Sequence, residues 1–271
     1  MISHFEDLRE VYVWQLPVRI FHWLNAVAIV GLCATGCVIG HPVAIQHATP
    51  PIDNYWFGIV RFAHFVCAFV FIVNFLVRIY WMFVGNYFCR WFQYIPLTKK
   101  QWRGIRDTLK VDIFLITKKP IYDIGHNAMA ASTYGVLFVV MFLQCITGLM
   151  LYAPQSDAFW APFFKEMLVF CDGFFPIRDL HHVLMWTCIL FAIVHIYLVF
   201  YHDYIEKNGV ASSIIGGWKF IPRPIVEDYD SEHAMLEDIR LLKAQLRRSR
   251  RLRDKDHELA EHTRKHPEIN V

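Results

Sequence analysis

The sequence predicts an all-α fold, a four-helix transmembrane bundle with a charged, helical C-terminal tail, on three observations. The 271 residues are 56% hydrophobic and only 19% charged, whereas soluble domains carry roughly 25% charged residues. Four apolar stretches each reach the about 20 residues that cross a bilayer as a helix. The charges gather at the N-terminus, in one middle connection and in the tail. A net charge of +3 gives no reason to expect a nucleic-acid partner, and the lipid bilayer is the expected surroundings.

Residues 1–17 form a charged N-terminal segment ending at Pro17, which suits the first turn of a helix. The segment has no small-residue cleavage site, so the first apolar stretch is expected to stay as an anchor. The expected spans are about 18–40, 55–84, 127–151 and 177–203, within a membrane domain 18–203. Asp53 and Asn54 lie where an N-cap for the second span belongs. Residues 204–271 form a C-terminal extension. Its part from 227 onward holds eleven acidic and ten basic side chains. Met235, Ile239, Leu242 and Leu246 recur there at helical spacing for under two heptads. A solvated helix therefore fits better than a coiled coil.

The connections set the direction. Residues 41–56 contain no Lys or Arg, and 153–177 contain only Lys165. Residues 85–126 contain Arg90, Lys99, Lys100, Arg103, Arg106, Lys110, Lys118 and Lys119. An excess of cations marks the cytoplasmic side, so this connection and both termini are expected there. Within it, Trp102, Ile105, Leu109 and Ile113 fall at helical spacing between basic residues, the pattern of an amphipathic helix on the inner leaflet. A solvated loop is the alternative. The connection 153–177 is rich in Phe and Trp, which suits the outer interface or a partner's cover.

Histidines carry the functional signal, because ionisable groups inside a membrane are costly and mark working sites. The alternation of spans places His22 and His195 at one depth, toward the inner face. It places His64 and His181 at another, toward the outer face. His181 and His195 are fourteen residues apart, about 40° around the helix and roughly 21 Å along it. His182 lies about 140° from His195, so His181 is the expected working member. A single membrane histidine is often a hydrogen-bonded core residue, but four that pair by depth suit metal ligation better. Zinc wants four ligands close together. Two imidazoles per site suit the axial positions of an iron porphyrin in a bundle core.

Arg19, Arg61 and Arg178 each precede one of these histidines by three residues, nearly one turn, on the water side. Haem propionates are natural partners of such arginines. Arg78, fourteen residues after His64, could meet an inner propionate, although a snorkelling role fits it almost as well. Thr35-Gly36 and Thr147-Gly148 lie near the outer ends of the first and third spans. Gly36 and Gly40 form a G-x-x-x-G, whose ordinary role is close helix packing. The seven cysteines form no CxxC, no CxxCH and no zinc spacing, and are expected to be packing residues.

The stretches "PVRIFHW", "RFAHFVCAF", "RIYWMFVGNYF", "GHNAMA", "HHVLMW" and "HIYLVFYHD", with the late "GGWKFIP", cover about residues 12–220. In that order they resemble the cytochrome b subunit of membrane-bound nickel–iron hydrogenases, itself similar to that of formate dehydrogenases. The resemblance implies two b-type haems on His22, His64, His181 and His195. It implies electron flow from the iron–sulfur small subunit of a hydrogenase with a nickel–iron large subunit, through the outer and then the inner haem, to membrane quinone. It also implies a bacterial inner membrane and a subunit that is no enzyme on its own. His126 and Asn127, at the start of the third span, are the expected quinone pocket, or alternatively a plain helix start. His202 and Asp203 are candidates for proton uptake. The rival readings are the equivalent subunit of a formate dehydrogenase or related oxidoreductase, and a haem-free membrane anchor.

Overall fold

The computed structural model describes residues 7–42, 55–112 and 123–235. The expected caps Asp53 and Asn54, the basic Lys118 and Lys119, the apolar position Ile113 and the tail positions Ile239, Leu242 and Leu246 lie outside them. The chain divides into two compact units, Glu10–Ile221 and a smaller one combining Met1–Arg9 with Pro222–Val271.

In chain order the elements are β1 (Leu8–Tyr12), α1 (Leu16–Gly40), α2 (Trp56–Val84), α3 (Lys99–Asp112), α4 (Ala128–Tyr152), α5 (Ala161–Phe170), α6 (Phe174–Glu206), α7 (Val210–Gly216) and β2 (Trp218–Pro222). Among the described residues, three single-turn 3-10 segments punctuate the connections. Helices α1, α2, α6 and α4 with its following turn are long and apolar enough to cross a membrane. Pro17 opens α1. The Asn127 side chain opens α4 by accepting a hydrogen bond from the Ala130 N–H, which satisfies one of the donors a helix start leaves free.

Helix α1 packs on α2, and α4 on α6. Ala28, Phe71, Phe75, Met141 and Cys145 form the buried centre, with Leu32, Ile72 and Phe138 against it. Lipid tails are as apolar as these side chains, so close packing and interhelical hydrogen bonds, not exclusion from water, hold such helices together. Asn74, buried in α2, supplies one by donating to the Phe21 carbonyl of α1 at 3.1 Å. All seven cysteines are free thiols, and Cys89, Cys145 and Cys188 are buried.

The connections hold more structure than the sequence pattern suggests. α3 forms where the amphipathic helix is expected, but its faces divide: Ile105 and Leu109 are partly buried while Trp102 is 60% exposed. Between α4 and α6 lies a short helix, α5, with Leu168 packed against Met150 and Ile177. Phe159 ahead of it and Phe170 at its last position are 96% and 89% exposed. The two strands pair as a small sheet, an addition to the all-α expectation. The Val13 and Trp14 N–H groups both bond the Gly217 carbonyl, so the chain entering α1 is tied to the chain leaving α7. In the smaller unit, residues 223–235 are helical, and Arg223 pairs with Glu227 at 3.1 Å.

A glycine marks a close approach of a connection to the bundle. A Cβ on Gly135, in the first half of α4, would fall onto the Tyr94 backbone carbonyl. The Gly135→Ala variant is therefore expected to lower the melting temperature in detergent, at a cost of roughly 1–3 kcal/mol for overpacking. Gly58→Ala in α2, where nothing lies within 4 Å, should not lower it.

Candidate functional site

Four histidines from α1, α2 and α6 face the bundle interior in two pairs. At the end where α1 and α4 start, the His22 and His195 rings lie 6.3 Å apart between centroids. Two imidazoles bound to one metal at roughly 2.0 Å from each nitrogen would have centroids at about that separation. At the other end, His64 and His181 line one cavity of about 330 Å³, together with Gly36, Arg61, Gly148 and Arg178. That is within the range of small-molecule and cofactor sites, about 300–1,000 Å³.

The ring nitrogens show which atoms remain for a metal. His64 Nδ1 lies 2.9 Å from Thr35 Oγ1, and His181 Nδ1 lies 2.8 Å from Thr147 Oγ1. Each threonine gives its own proton to the carbonyl four residues back, Gly31 at 2.6 Å and Leu143 at 2.8 Å. Each oxygen therefore accepts from the imidazole Nδ1–H, which leaves the Nε2 lone pair as the one a metal could take. Gln144 agrees, because its amide nitrogen donates to His181 Nε2 at 3.2 Å. Metal-bound histidines ordinarily have their second nitrogen held in this way. At the first pair, Tyr134 Oη meets His195 Nδ1 at 3.2 Å, while His22 Nδ1 is buried with no hydrogen-bond partner among the described residues.

Glycines leave room beside the rings. A Cβ on Gly36 would lie 3.4 Å from His64 Cε1, and one on Gly148 would lie 3.2 Å from His181 Cε1. His182 is differently placed: it packs against Gly40, where a Cβ would meet its ring at 3.1 Å, at the last residue of α1.

The arginines divide as well. Arg61 bonds Gln155 Oε1 and Arg178 donates to the Gly40 carbonyl at 3.1 Å, both on the wall of the cavity. Arg19 bonds the Ile215 carbonyl and keeps a buried Nε without a partner among the described residues. Arg78 is buried and engaged by protein. It donates to Tyr94 Oη at 2.5 Å and to the Cys89 carbonyl at 3.4 Å, and its guanidinium lies over the Phe21, Tyr94 and Phe138 rings. Those contacts leave few of its N–H groups for a ligand.

His126 sits beside the His22–His195 pair. Its ring lies 4.6 Å from that of Trp14 and 4.6 Å from that of Tyr134, the residue that also reaches His195. Burial, with Lys219 and Arg78 adding to it, holds its pKa well below the usual histidine range, so the ring is neutral at pH 7. Asn127 spends its oxygen on the α4 cap at 2.7 Å and keeps its amide donors. Just ahead, buried Lys219 donates to the Asp123 and Gly125 carbonyls at 3.1 Å each. Burial raises the Asp123 carboxyl to about 6 against the opposing pull of Lys219. His202 pairs with Glu206 at 3.0 Å, and Asp203 accepts the Ala211 N–H of α7 at 3.3 Å.

The threonines were visible in the sequence only as companions of small residues. A stronger signal was present: C-x-T-G occurs twice, at Cys33–Gly36 and Cys145–Gly148. The Tyr134 contact leaves no such trace, because it joins helices sixty-one residues apart in the chain.

A family model described as prokaryotic cytochrome b561 matches residues 13–217. A protein of Azotobacter vinelandii named "Probable Ni/Fe-hydrogenase B-type cytochrome subunit" is 33% identical over 213 residues, covering 77% of this chain and 88% of its own. A protein of the same name from Bradyrhizobium diazoefficiens is 36% identical, over 76% of this chain and 85% of its own. The "Probable Ni/Fe-hydrogenase 1 B-type cytochrome subunit" of Escherichia coli K12 is 33% identical, over 77% and 90%.

The contrast between adjacent histidines is testable by pigment. His181→Ala is expected to abolish porphyrin binding at the His64 pair, whereas His182→Ala should retain it, as read by absorbance of the purified protein.

Proposed function

This chain belongs to the prokaryotic cytochrome b561 family, and we propose that it is the electron-carrying membrane subunit of a nickel–iron hydrogenase, turning over no hydrogen itself. The observation that carries this reading is the double pairing of imidazoles, with His22 and His195 at 6.3 Å and His64 with His181 on one cavity. Two b-type haems, when bound, supply one-electron transfer through the apolar core.

His64 and His181 would hold the iron of the outer haem, and His22 and His195 that of the inner haem, so that each iron would carry electrons between two imidazoles. Arg61 and Arg178 suit the propionates of the outer site, and the unpartnered Nε of Arg19 suits one at the inner site. Such charge-assisted contacts are the strong class of hydrogen bond.

The cation-rich connection 85–126 supports a cytoplasmic position for that end and for both termini, in a bacterial inner membrane. Residues 204–271 would then be a cytoplasmic extension. Electrons enter at the opposite end, from the iron–sulfur small subunit that accompanies the large subunit, and leave to the quinone pool. His126, neutral at pH 7, and the amide of Asn127 donate to a quinone carbonyl beside the inner site. Asp123, with its carboxyl near 6, is placed to pass protons to that mouth, alongside His202 and Asp203.

A reduced-minus-oxidised spectrum of the protein purified with its partners tests the core of this reading. Two b-type components are expected, one lost in His64→Ala and the other in His195→Ala. A correctly inserted but colourless polypeptide would overturn it. With both components present, His126→Ala should raise the quinone KM about fivefold, the worth of one hydrogen bond of about 1 kcal/mol. An unchanged KM removes His126 from the pocket.

A further inference from the structure

We propose that Thr35-Gly36 and Thr147-Gly148 are a matched pair of positioning clamps that hold down the reduction potential of the His64–His181 site relative to the His22–His195 site. The proposal rests on the reading of His64 and His181 as haem ligands. It adds to that reading a device that sets the direction of electron flow.

The device is built twice from the same parts. In α1, C-x-T-G presents Thr35 and Gly36 to His64 of α2. In α4, C-x-T-G presents Thr147 and Gly148 to His181 of α6. Each donor helix is the packing partner of the helix it clamps. The hydroxyl proton is committed to a helix carbonyl at 2.6 Å in one case and 2.8 Å in the other, so the oxygen can only accept from Nδ1–H. The glycine next to it lets the ring edge sit on the backbone, with Cε1 at 3.4 Å and 3.2 Å from the place a Cβ would take. Rotation about the ring axis and the choice of tautomer are both settled, and each Nε2 lone pair is left as the one a metal could take.

The electronic consequence follows from the direction of the bond. An acceptor on Nδ1–H makes the imidazole a more basic, electron-richer ligand, which favours the ferric over the ferrous ion. Both ligands of this pair have such an acceptor at 2.9 Å or less. The other pair does not: among the described residues His22 Nδ1 has no partner, and His195 Nδ1 meets a phenol oxygen at the longer distance of 3.2 Å. The doubly clamped site is therefore the weaker oxidant, and electrons arriving there run on toward His22 and His195.

The test is a redox titration of the whole complex with Thr35→Val, Thr147→Val, the double variant, and the Thr35→Ser and Thr147→Ser controls. The component that His64→Ala removes identifies the clamped site. Each valine variant is expected to shift the ferric-to-ferrous ratio of that component about tenfold toward ferrous at fixed potential, about 59 mV upward for one electron. The other component serves as internal standard and should not move. The serine variants should titrate like the parent. Unmoved valine variants that retain both pigments would overturn the proposal. If valine expels the pigment, the serine variants decide: retained pigment and parental potential support the hydroxyl clamp, and loss in serine as well makes the methyl group the operative part and overturns it. A parent protein with no component sensitive to His64→Ala would instead sink the ligand assignment itself.

Discussion

The His64–His181 end depends on one constraint, the need to hold the Nδ1–H of an imidazole in hydrocarbon. An unpaired polar group in such surroundings costs several kcal/mol, and water is not at hand to share the load. At the His64–His181 end the answer is intramolecular and is given by neighbouring helices. Thr35 reaches from α1 to α2, and Thr147 from α4 to α6. The contacts that fix the rings are thus also the contacts that join the helices. Polar side chains account here for helix pairing that apolar burial cannot drive in lipid.

This coupling explains which features were legible from the sequence. Spans appear as runs of apolar residues because length and hydropathy are local properties. The pairing of His22 with His195 follows from alternation of direction and from helical rise, both also local. Which atoms hold the rings is not local. Thr35 and His64 are twenty-nine residues apart, and Tyr134 and His195 sixty-one, and no periodicity joins them. Arg78 illustrates the same limit. A buried cation opposite an inner site could be read from its position, but not that Tyr94 and the Cys89 carbonyl already hold it. Asn127 shows one residue meeting both readings, with its oxygen on a helix cap and its amide left over.

The two ends of the bundle are built on different principles. The His64–His181 end is a cavity between helices, walled largely by apolar side chains, with Gly36 and Gly148 leaving room beside the rings. The His22–His195 end is covered by connections: Trp14 over His126, and α7 held to α1 through Arg19 and Trp23. Gln15 fastens the cover by accepting from both the Trp81 indole and the Asn86 N–H at 3.0 Å. Strands β1 and β2 were invisible to a helix-only reading because each is five residues long and gains its partner from the far end of the chain.

A covered end and an open cavity suit different tasks. One-electron transfer needs only rigid ligands and exclusion of water, since a fixed environment reorganises little when charge arrives. Two-electron, two-proton chemistry needs donors whose protons can be replaced. The residues that change charge easily lie at the covered end. Lys219 is buried there, with its pKa lowered by burial, beside an Asp123 whose own pKa is raised by it. The clamped histidines at the opposite end have hydroxyl partners that are already committed to helix carbonyls. Proton traffic therefore has a chemical basis at one mouth of the bundle and none in the threonine clamps. In the proposed function, that division would keep one-electron transfer apart from the protonation of quinone.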